Sequence, residues 1–377
     1  MRFYIGFTTV IALYTAFNYY VGLRGKQLFV DKLGLFNLWL YWILFGLIVF
    51  SSFLGIISFR SLPDGIKKVF STMGSYWVAA LVYFLLFAAA SDLIWLIAGR
   101  TRIFKTLDHN LLISSGLGLL VIFFVMGLLV YGTFHARNIK ITSYQVHIKK
   151  SAGTLKQLHV AMISDLHLTD ISDYRRHQII GKVNELHPDL VLIAGDIVPI
   201  EKQQIAAEFR NIKSPYGVFA CLGNHDYYNQ DMNKLTQWLS QAGIQVLRDE
   251  SVKVADSFYL IGRDDKSYEM INGRKRKKIS DLTANLDEKL PVILMDHQPV
   301  DVNAAQNAGV DLQLSGHTHK GQFFPFGLIT RRVFRIDYGY LKLEPMQVIV
   351  SSGVGTWGPP VRIASLSEVV DIRITFQ

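Results

Sequence analysis

Cysteine is nearly absent from this chain, since Cys221 is the one cysteine among 377 residues. A single cysteine excludes an intramolecular disulfide and a zinc site built from several cysteines. Charge is also scarce: charged residues make up 18% of the chain, hydrophobic residues make up 50%, and the mean hydropathy is +0.25. This composition excludes a disordered protein and argues against an ordinary soluble enzyme.

The scarcity of charge is concentrated in the first third of the chain. Residues 1–134 contain ten Lys/Arg and four Asp/Glu, whereas the remaining residues contain 29 Lys/Arg and 26 Asp/Glu. Four apolar runs fill this third, at about Phe3–Leu23, Leu35–Phe59, Tyr76–Ala98 and Leu111–Phe134. Each run has about 20 residues or more, the length that crosses roughly 30 Å of hydrocarbon as a helix. We therefore predict a multi-pass integral membrane protein whose transmembrane region, residues 1–136, contains four helices.

Asp92 is the one acidic residue within the four runs. Carboxylates inside a membrane span are often functional. Asp92 lies toward the end of its run, however, so an acid at the membrane interface is the preferred interpretation. The basic residues between the runs are divided almost evenly over the two sides of the membrane. The side on which the C-terminal part lies therefore stays open.

Residues 137–377 have the pattern of a soluble domain in which strands alternate with helices. The segment 139–148 alternates apolar and polar residues and predicts an edge strand. Further strands are predicted at Leu158–Ser164, Leu190–Ala194, Val218–Leu222, Gln245–Leu247, Phe258–Ile261, Val292–Met295, Leu312–Leu314, Val348–Val350 and Asp371–Phe376, and helices at Tyr174–Leu186 and Lys234–Ala242. Five of these strands end in turns that carry Asp, Asn or His. Ligands bind beyond the carboxyl ends of strands in α/β sheets, so the five turns predict a single site.

The candidate ligands are carboxylates, an amide and imidazoles. They are Asp165 and His167 in Ser-Asp-Leu-His, Asp196 in Gly-Asp-Ile-Val, Asn224 in Gly-Asn-His-Asp, His297 in Asp-His-Gln-Pro, and His317 and His319 in Gly-His-Thr-His. Asp-x-His and His-x-His spacing puts both side chains on the same side of an extended segment. Imidazoles and carboxylates without a thiolate suit first-row divalent ions. Seven ligands are too many for one tetrahedral ion and suit two ions that share a ligand.

On these motifs, residues 139–377 resemble the calcineurin-like metallophosphoesterase family. Within that family the chain is similar to the YkuE/YaeI-like branch, on the segments Ser164–Leu168, Gly316–Gln322 and Gly353–Gly355 and on Arg362 in Pro-Val-Arg. The resemblance implies an α/β fold, a four-layered α/β/β/α sandwich, preceded here by the four membrane helices.

The resemblance also implies a centre of two divalent metal ions, which could be Mn, Zn, Fe or Mg. The first ion is held by four ligands: Asp165, His167, Asp196 and His319. The second is held by Asp196, Asn224, His297 and His317, so Asp196 bridges the two ions. His225 is not a ligand in this scheme. It contacts the substrate and protonates or stabilises the leaving oxygen, while Asp226 orients it, so both are candidate catalytic residues.

Two further cations are candidate substrate-binding residues. Lys320 occupies the position after His-x-His where the family usually has glycine, and it either binds an anionic substrate or faces the solvent. Arg362 either contacts phosphate or is a surface arginine. The basic run Arg274–Lys278 is either a solvated loop or a contact with anionic lipid headgroups. The run is short and lacks interleaved aromatics, which argues against a nucleic-acid partner.

Together these features favour a membrane-bound phosphohydrolase that cleaves phosphomonoester, phosphodiester or pyrophosphate bonds. Its expected partners are the lipid bilayer and a phosphorylated substrate that is lipid-linked or close to the membrane. The alternative is a catalytically silent scaffold or regulatory domain with the same fold, but such relatives lose ligands, and all seven ligands and His225 are present here. A transporter is disfavoured because the spans contain almost no charge.

Overall fold

The structure is a computed structural model that describes residues 2–56, 63–101, 111–168, 171–197, 208–228 and 231–377. The chain divides into two compact units, Met1–Thr133 with Gly358–Val361 and Phe134–Trp357 with Arg362–Gln377. The first unit is helical, and the second is built on two β-sheets. The sequence-based boundary between residues 136 and 137 stays a prediction.

Long apolar helices make up the described part of the first unit. They are α1 (Arg2–Lys26), α2 (Leu38–Ile56), α3 (Asp64–Ala98) and α4 (Leu111–Arg137), and a π-helical turn, Gln27–Lys32, follows α1. A helix satisfies its backbone hydrogen bonds within itself, as a segment in hydrocarbon must. The predicted connector before the third span is helical from Asp64 onward, so α3 is longer than the apolar run alone indicates.

Polar side chains connect the helices of this unit. The indole Nε1 of Trp77 donates a 2.8 Å hydrogen bond to Asn18 Oδ1. Asp92 accepts a 2.5 Å hydrogen bond from the hydroxyl of Tyr20 and forms an ion pair with Arg24. The side chains of Arg24 and Asp92 are 41% and 44% exposed. An acid that is both paired and partly exposed agrees with the interfacial interpretation.

Two helices of the described chain are long and apolar enough to cross a bilayer, by length and composition. They are Gly65–Ala98 with 34 residues and Leu111–Arg137 with 27 residues, and they coincide with the third and fourth predicted spans. The second predicted span contains a shorter apolar helix, Leu38–Ser51, and its residues 57–59 lie outside the described residues. The first predicted span lies in α1, where polar residues such as Asn18 lower the hydropathy. The structure thus supports two membrane helices where the sequence predicts four.

Two six-stranded sheets form the described part of the second unit. The first sheet has the order β1-β12-β2-β3-β4-β5, with β1 Ile139–Ile148, β2 Gln157–Ile163, β3 Leu190–Ala194, β4 Val218–Cys221, β5 Ile244–Val246 and β12 Ser367–Phe376. The second has the order β10-β11-β9-β8-β7-β6, with β6 Glu250–Val254, β7 Phe258–Gly262, β8 Val292–Met295, β9 Leu312–Ser315, β10 Gly339–Leu343 and β11 Met346–Val350. Strands β2, β3, β4 and β5 are parallel, as are β7, β8, β9 and β11, so the strand ends of each set point to one edge.

Helices accompany the two sheets in the described residues, and several of them pack on the outer faces of the sheets. They are α5 (Asp173–Glu185), α6 (Asn224–Tyr227), α7 (Met232–Gln241), α8 (Ser267–Asn272), α9 (Ile279–Thr283), α10 (Val302–Asn307) and α11 (Phe326–Val333). Leu192 and Leu314 belong to one buried cluster between the sheets. Ile179 and Leu235 pack from α5 and α7 onto the first sheet, and Val302 packs from α10 onto the second. The layers therefore run helix, sheet, sheet, helix.

The predicted strands lie where the sequence places them, and β1 is an edge strand, which confirms that prediction. β3 and β8 are buried along their whole length because strands in the middle of a parallel sheet are covered on both faces. The sequence analysis missed β6 and β10, which are the two edge strands of the second sheet. Both have partly exposed, mixed sequences that give no buried apolar run.

Candidate metal centre

The predicted ligands follow strand ends that the two sheets bring to the same place. Asp165 and His167 follow β2, Asp196 follows β3, and Asn224 follows β4. From the second sheet, His297 follows β8, and His317 and His319 follow β9. Six of the seven side chains belong to buried residues, and His317 is half-buried. The fold thus brings all seven predicted ligands together.

The first cluster consists of Asp165, His167 and His319. The Nε2 atom of His319 lies 3.2 Å from Asp165 Oδ1 and 3.4 Å from Nε2 of His167. The Nε2 atom of His167 is 3.9 Å from Asp196 Oδ2, which connects this cluster to the second one. All the ligand atoms of the first cluster lie within 4.8 Å of one another. That spacing suits one ion held by all three side chains.

The second cluster consists of Asp196, His297 and His317. The Nε2 atom of His297 is 3.2 Å from Asp196 Oδ2. The Nδ1 atom of His317 is 2.7 Å from the amide oxygen of Asn224, which adds a fourth donor group. The ligand atoms of Asp196, His297 and His317 also lie within 4.8 Å of one another. Asp196 touches both clusters and is therefore placed to be the shared ligand.

The backbone is left-handed at five of the seven ligands. The φ angles are 53° at Asp165, 46° at His167, 53° at Asp196, 70° at His317 and 47° at His319. A non-glycine residue in this region has a higher energy by about 1–3 kcal/mol and persists only where the surrounding structure holds it. Sharp turns at the strand ends direct these side chains back into one space. The concentration of this strain at the predicted ligands marks a functional site.

Two glycines allow the backbone to approach Asp196 closely. A Cβ atom at Gly195, where φ is +85°, would lie 2.5 Å from Nδ1 of His297. A Cβ atom at Gly223 would lie 2.2 Å from Oδ1 of Asp196. That carboxylate oxygen instead accepts a 2.8 Å hydrogen bond from the backbone N–H of His225. Glycine is required at both positions because any side chain would displace a ligand.

The electrostatics of the two clusters favour a bound cation. Burial alone would favour neutral Asp196, but the adjacent His297 lowers the pKa of that carboxyl group to about 2. Burial disfavours a charged His297, yet Asp196 raises the pKa of its imidazole well above the usual value. Burial and the neighbouring imidazole of His319 lower the pKa of His167 to about 3. Asp196 is thus ionised and His167 is neutral at pH 7, the states in which these groups bind metal, whereas His297 has to release a proton to become a ligand.

The residues present fit divalent metal ions. Nδ1 of His297 lies 2.7 Å from the carbonyl oxygen of Ala194, so this nitrogen donates and Nε2 is left as the ligand atom. Buried Nε2 has no hydrogen bond to any residue that the structure describes, although it faces Asp196 at 3.2 Å. Asp196 raises the pKa of His297, so a proton on Nε2 faces the carboxylate when no ion is bound, and a metal ion would take the place of that proton. Binding of ions by these groups stays a prediction.

His225 is half-buried and lines a cavity of about 390 Å³ beside the clusters. Its ring stands edge-on to the ring of His167 at 5.0 Å and to the ring of Tyr228 at 5.5 Å. This position agrees with contact to a substrate. Asp226, predicted to orient His225, is fully buried and accepts a 2.8 Å hydrogen bond from the backbone N–H of Gly223. Its observed contact is therefore with the turn that carries Asn224 and His225, which makes Asp226 a positioning residue.

The cavity is lined by aromatic residues that the sequence analysis did not identify. Phe323, Phe326, Trp357 and Tyr228 form its apolar part. A signal was present, because three of the four residues after Gln322 are phenylalanine and the fourth is proline. The lining of the cavity thus combines predicted metal ligands with aromatic side chains.

Lys320 lies beside an aromatic ring, and its role in substrate binding stays a prediction. It has left-handed backbone, with φ at 50°, and its Nζ atom lies over the ring of Tyr338 at 4.3 Å from the centroid. Lys320 is not among the described residues that line the cavity. The ammonium group therefore makes a cation–π contact in this structure.

Arg362 is neither a surface arginine nor a residue that lines the cavity. Its side chain is fully buried, and its guanidinium donates to the carbonyl oxygens of Ser352, Gly353 and Gly355 at 2.6–3.1 Å. The same Nη2 atom lies 3.1 Å from Nδ1 of His319. Burial lowers the pKa of Arg362 to about 10, so the group remains charged at pH 7. Arg362 therefore lies against a predicted ligand and is not among the described residues that line the cavity, while its contact with phosphate stays a prediction.

The basic run Arg274–Lys278 divides into two parts. Arg276 is buried and donates to Asp296 Oδ1 at 2.9 Å and to Asp301 Oδ2 at 2.8 Å. The other four residues of the run are exposed. The interpretation as a solvated loop is wrong for Arg276, because two aspartates distant in sequence form a buried site for its charge.

Comparisons with known proteins agree with this geometry. The profile of the calcineurin-like phosphoesterase family matches residues 158–321. An uncharacterized metallophosphoesterase of Aquifex aeolicus is 33% identical over 251 residues, which cover 65% of this chain and 95% of that protein. An uncharacterized metallophosphoesterase of Helicobacter pylori is 33% identical over 232 residues, covering 58% of this chain and 60% of that protein. A transmembrane protein with metallophosphoesterase domain of Danio rerio is 33% identical over 261 residues, covering 65% and 60%. The chain thus spans 60% of the length of the last two relatives.

Proposed function

Because this chain belongs to the calcineurin-like phosphoesterase family, we propose that it is a membrane-bound phosphohydrolase with a centre of two divalent metal ions. The observation that carries the proposal is the pair of buried Asp/His clusters that meet at Asp196 beside a cavity. The bonds that it cleaves are phosphomonoester, phosphodiester or pyrophosphate bonds.

The four ligands of the first ion are Asp165, His167, Asp196 and His319, and those of the second are Asp196, Asn224, His297 and His317. The ions are of the Mn, Zn, Fe or Mg type. When bound, two such ions neutralise the charge of the phosphate oxygens and activate the attacking water. Phosphoryl transfer depends mainly on such neutralisation and on positioning. The protein contributes positioning through the left-handed turns and through the glycines that allow the backbone to approach Asp196 closely.

His225 is the residue that handles the leaving group. Its ring lies at the cavity, outside both clusters, and it is confined between the rings of His167 and Tyr228. An imidazole here donates a proton to the departing oxygen or stabilises its developing charge. Asp226 assists indirectly, because its carboxylate holds the backbone of Gly223 and with it the turn that carries His225.

The proposed substrate is a phosphate carried by a lipid or held close to the membrane. Two helices of bilayer length support a multi-pass anchor, and the proposal retains all four predicted spans. The name of the Danio rerio relative, which couples a transmembrane protein to a metallophosphoesterase domain, supports the same arrangement. We place the chain in the YkuE/YaeI-like branch. The expected partners are the bilayer and the substrate, without nucleic acid.

Metal content and hydrolysis of the detergent-purified full chain test this proposal. The substrates are bis-p-nitrophenyl phosphate, p-nitrophenyl phosphate and dioleoylglycerol pyrophosphate, each with Mn²⁺, and the control is Asp196→Asn. We expect about two ions per chain and a turnover that Asp196→Asn abolishes. The ranking of the three substrates then separates lipid from soluble targets. Absence of both bound metal and turnover would refute the proposal in favour of a scaffold.

A further inference from the structure

Helix α11 presents an apolar face to the solvent. None of its eight residues is buried. Phe326, Ile329 and Val333 are spaced by three and four residues and so lie on one side of the helix. Ile329 is 54% exposed and Val333 is 68% exposed. Large apolar side chains that share one exposed face usually mark a surface for interaction.

Three arginines accompany this apolar face. Arg331 and Arg332 lie in the last turn of α11, Arg335 follows two residues after the helix, and all three are exposed. No salt bridge joins any of them to another residue within the described ranges. A short helix with an apolar face and adjacent arginines matches an anionic lipid surface, where hydrocarbon accepts the face and headgroups pair with the cations.

The helix is fixed rigidly to the turn that carries a metal ligand. The backbones of Gly321 and Gly327 approach so closely that a Cβ atom at Gly321 would lie 2.2 Å from the nitrogen of Gly327. Asp337 connects the two segments, because its Oδ2 accepts from the hydroxyl of Thr330 at 2.7 Å and its carbonyl oxygen accepts from the hydroxyl of Thr318 at 2.5 Å. A surface that α11 contacts is therefore held at a set distance from His319.

The apolar face continues into the cavity. Phe326 lies on the face and also lines the cavity, where Trp357 is 54% exposed. A lipid lying against α11 would thus meet the entrance of the cavity with its headgroup. The chain itself carries two helices that are long and apolar enough to cross a bilayer, by length and composition, and the proposed membrane anchor would make a lipid surface available to this face. This favours lipid over a protein partner as the occupant of the face.

We infer that α11 is an interfacial helix that lies in the headgroup layer of an anionic bilayer and presents lipid-borne phosphate to the cavity. The substrate class that follows is a phosphate ester or pyrophosphate of a membrane lipid. This part of the inference rests on the proposed phosphohydrolase function, whereas the position of the helix in the bilayer does not.

The first test measures the surroundings of α11 in the full chain. Cys221 is fully buried, so an engineered cysteine is the accessible thiol among the described residues. Ile329→Cys is labelled with an environment-sensitive fluorophore in nanodiscs of phosphatidylcholine and phosphatidylglycerol that contain spin-labelled lipid. Met270→Cys is the matched control, since Met270 is 76% exposed on α8 and does not line the cavity. We expect blue-shifted, lipid-quenched emission at position 329 alone. Water-like emission at position 329 would overturn the inference.

The second test compares a lipid substrate with a soluble one. We expect Ile329→Ser/Val333→Ser to lower kcat/KM for dioleoylglycerol pyrophosphate in bilayers by about tenfold or more, because two apolar side chains no longer enter the lipid. Hydrolysis of bis-p-nitrophenyl phosphate should not change. Met270→Ser/Ile271→Ser is the matched control, and equal loss on both substrates would contradict the inference. If neither substrate were hydrolysed while the label at position 329 stayed quenched, the hydrolase proposal would fail and the interfacial helix would stand.

Discussion

Replacement of Arg362 by methionine or lysine would measure how strongly a buried guanidinium supports the metal centre. Arg362 donates to four backbone carbonyl groups, those of Ser352, Gly353, Gly355 and Leu366. Gly353 O and Leu366 O keep a second donor in the methionine variant, the backbone N–H of Glu368 and the hydroxyl of Ser352. The carbonyl oxygens of Ser352 and Gly355 lose the donor that the structure gives them, and a buried acceptor without a partner costs about 1–3 kcal/mol. We expect Arg362→Met to lower the free energy of unfolding by about 2 kcal/mol or more.

Lysine separates the charge of Arg362 from its geometry. An ammonium group has three donors on one atom, so it keeps the charge but cannot reach all four carbonyl groups. Because Arg362 lies 3.1 Å from Nδ1 of His319, the turn that carries this ligand should lose its fixed position. Arg362 is a donor only, so it holds the turn in place and does not accept an N–H from His319 in the way that a usual partner of a ligating imidazole does. We expect Arg362→Lys to weaken metal binding by about tenfold, the lower end of the range for loss of a residue that orients a ligand.

The assay is metal content after dialysis against a series of free Mn²⁺ concentrations, together with the thermal midpoint of the detergent-purified chain. Arg373→Lys is the matched control, because Arg373 is 58% exposed and pairs only loosely with Asp371 at 3.5 Å. If Arg362→Lys bound metal and unfolded like Arg373→Lys, the buried guanidinium would have no role at the centre and the reasoning would be refuted.

Three further predictions concern the centre itself. Gly223→Ala places a Cβ atom 2.2 Å from Asp196 Oδ1, so metal content measured by mass spectrometry should fall; unchanged content would show that the turn can yield. His225→Ala should retain both ions and lower turnover of bis-p-nitrophenyl phosphate by about 10²–10⁴-fold, and loss of ions would contradict its role. In the chelated protein, burial and a neighbouring imidazole lower the pKa of His167 to about 3 and of His317 to about 4, whereas an unfolded chain takes up both protons near pH 6.5. The contribution of these two histidines to the free energy of unfolding is complete above about pH 6.5, and it should fall by roughly 3 kcal/mol per pH unit between about pH 6 and 4. A calorimetric midpoint that does not change over this pH range would contradict the prediction.

The ligand turns could be predicted from the sequence because each one follows a short apolar strand. β3 and β8 have the predicted bounds, Leu190–Ala194 and Val292–Met295, since a run of buried aliphatic residues has no other stable place in an α/β domain. The chain direction of a parallel strand then determines the edge at which the next residue lies. Asp196 and His297 therefore meet although 101 positions separate their numbers in the chain.

The residues that the sequence analysis misplaced have partners supplied only by the tertiary structure. Arg276 stands in a run of basic residues, and no local pattern shows that Asp296 and Asp301 would surround it. Arg362 is buried because a loop of carbonyl groups, including those of Gly353 and Gly355, folds around its guanidinium. A charged residue is normally exposed, and burial becomes favourable only when the fold provides enough acceptors.

The predicted metal centre and α11 meet at one turn. The turn His319–Gly321 carries a predicted ligand in left-handed backbone, and the hydrogen bonds within the turn, such as that from Gln322 N–H to His319 O, are joined by contacts from outside it. Its support comes from Arg362 on one side and from the close approach of Gly327 in α11 on the other. Arg362 and α11 therefore both lie against the turn that carries His319. The inferred position of α11 in the headgroup layer would hold the membrane surface at a fixed distance from His319, which positions a lipid substrate without altering the site that a soluble substrate meets.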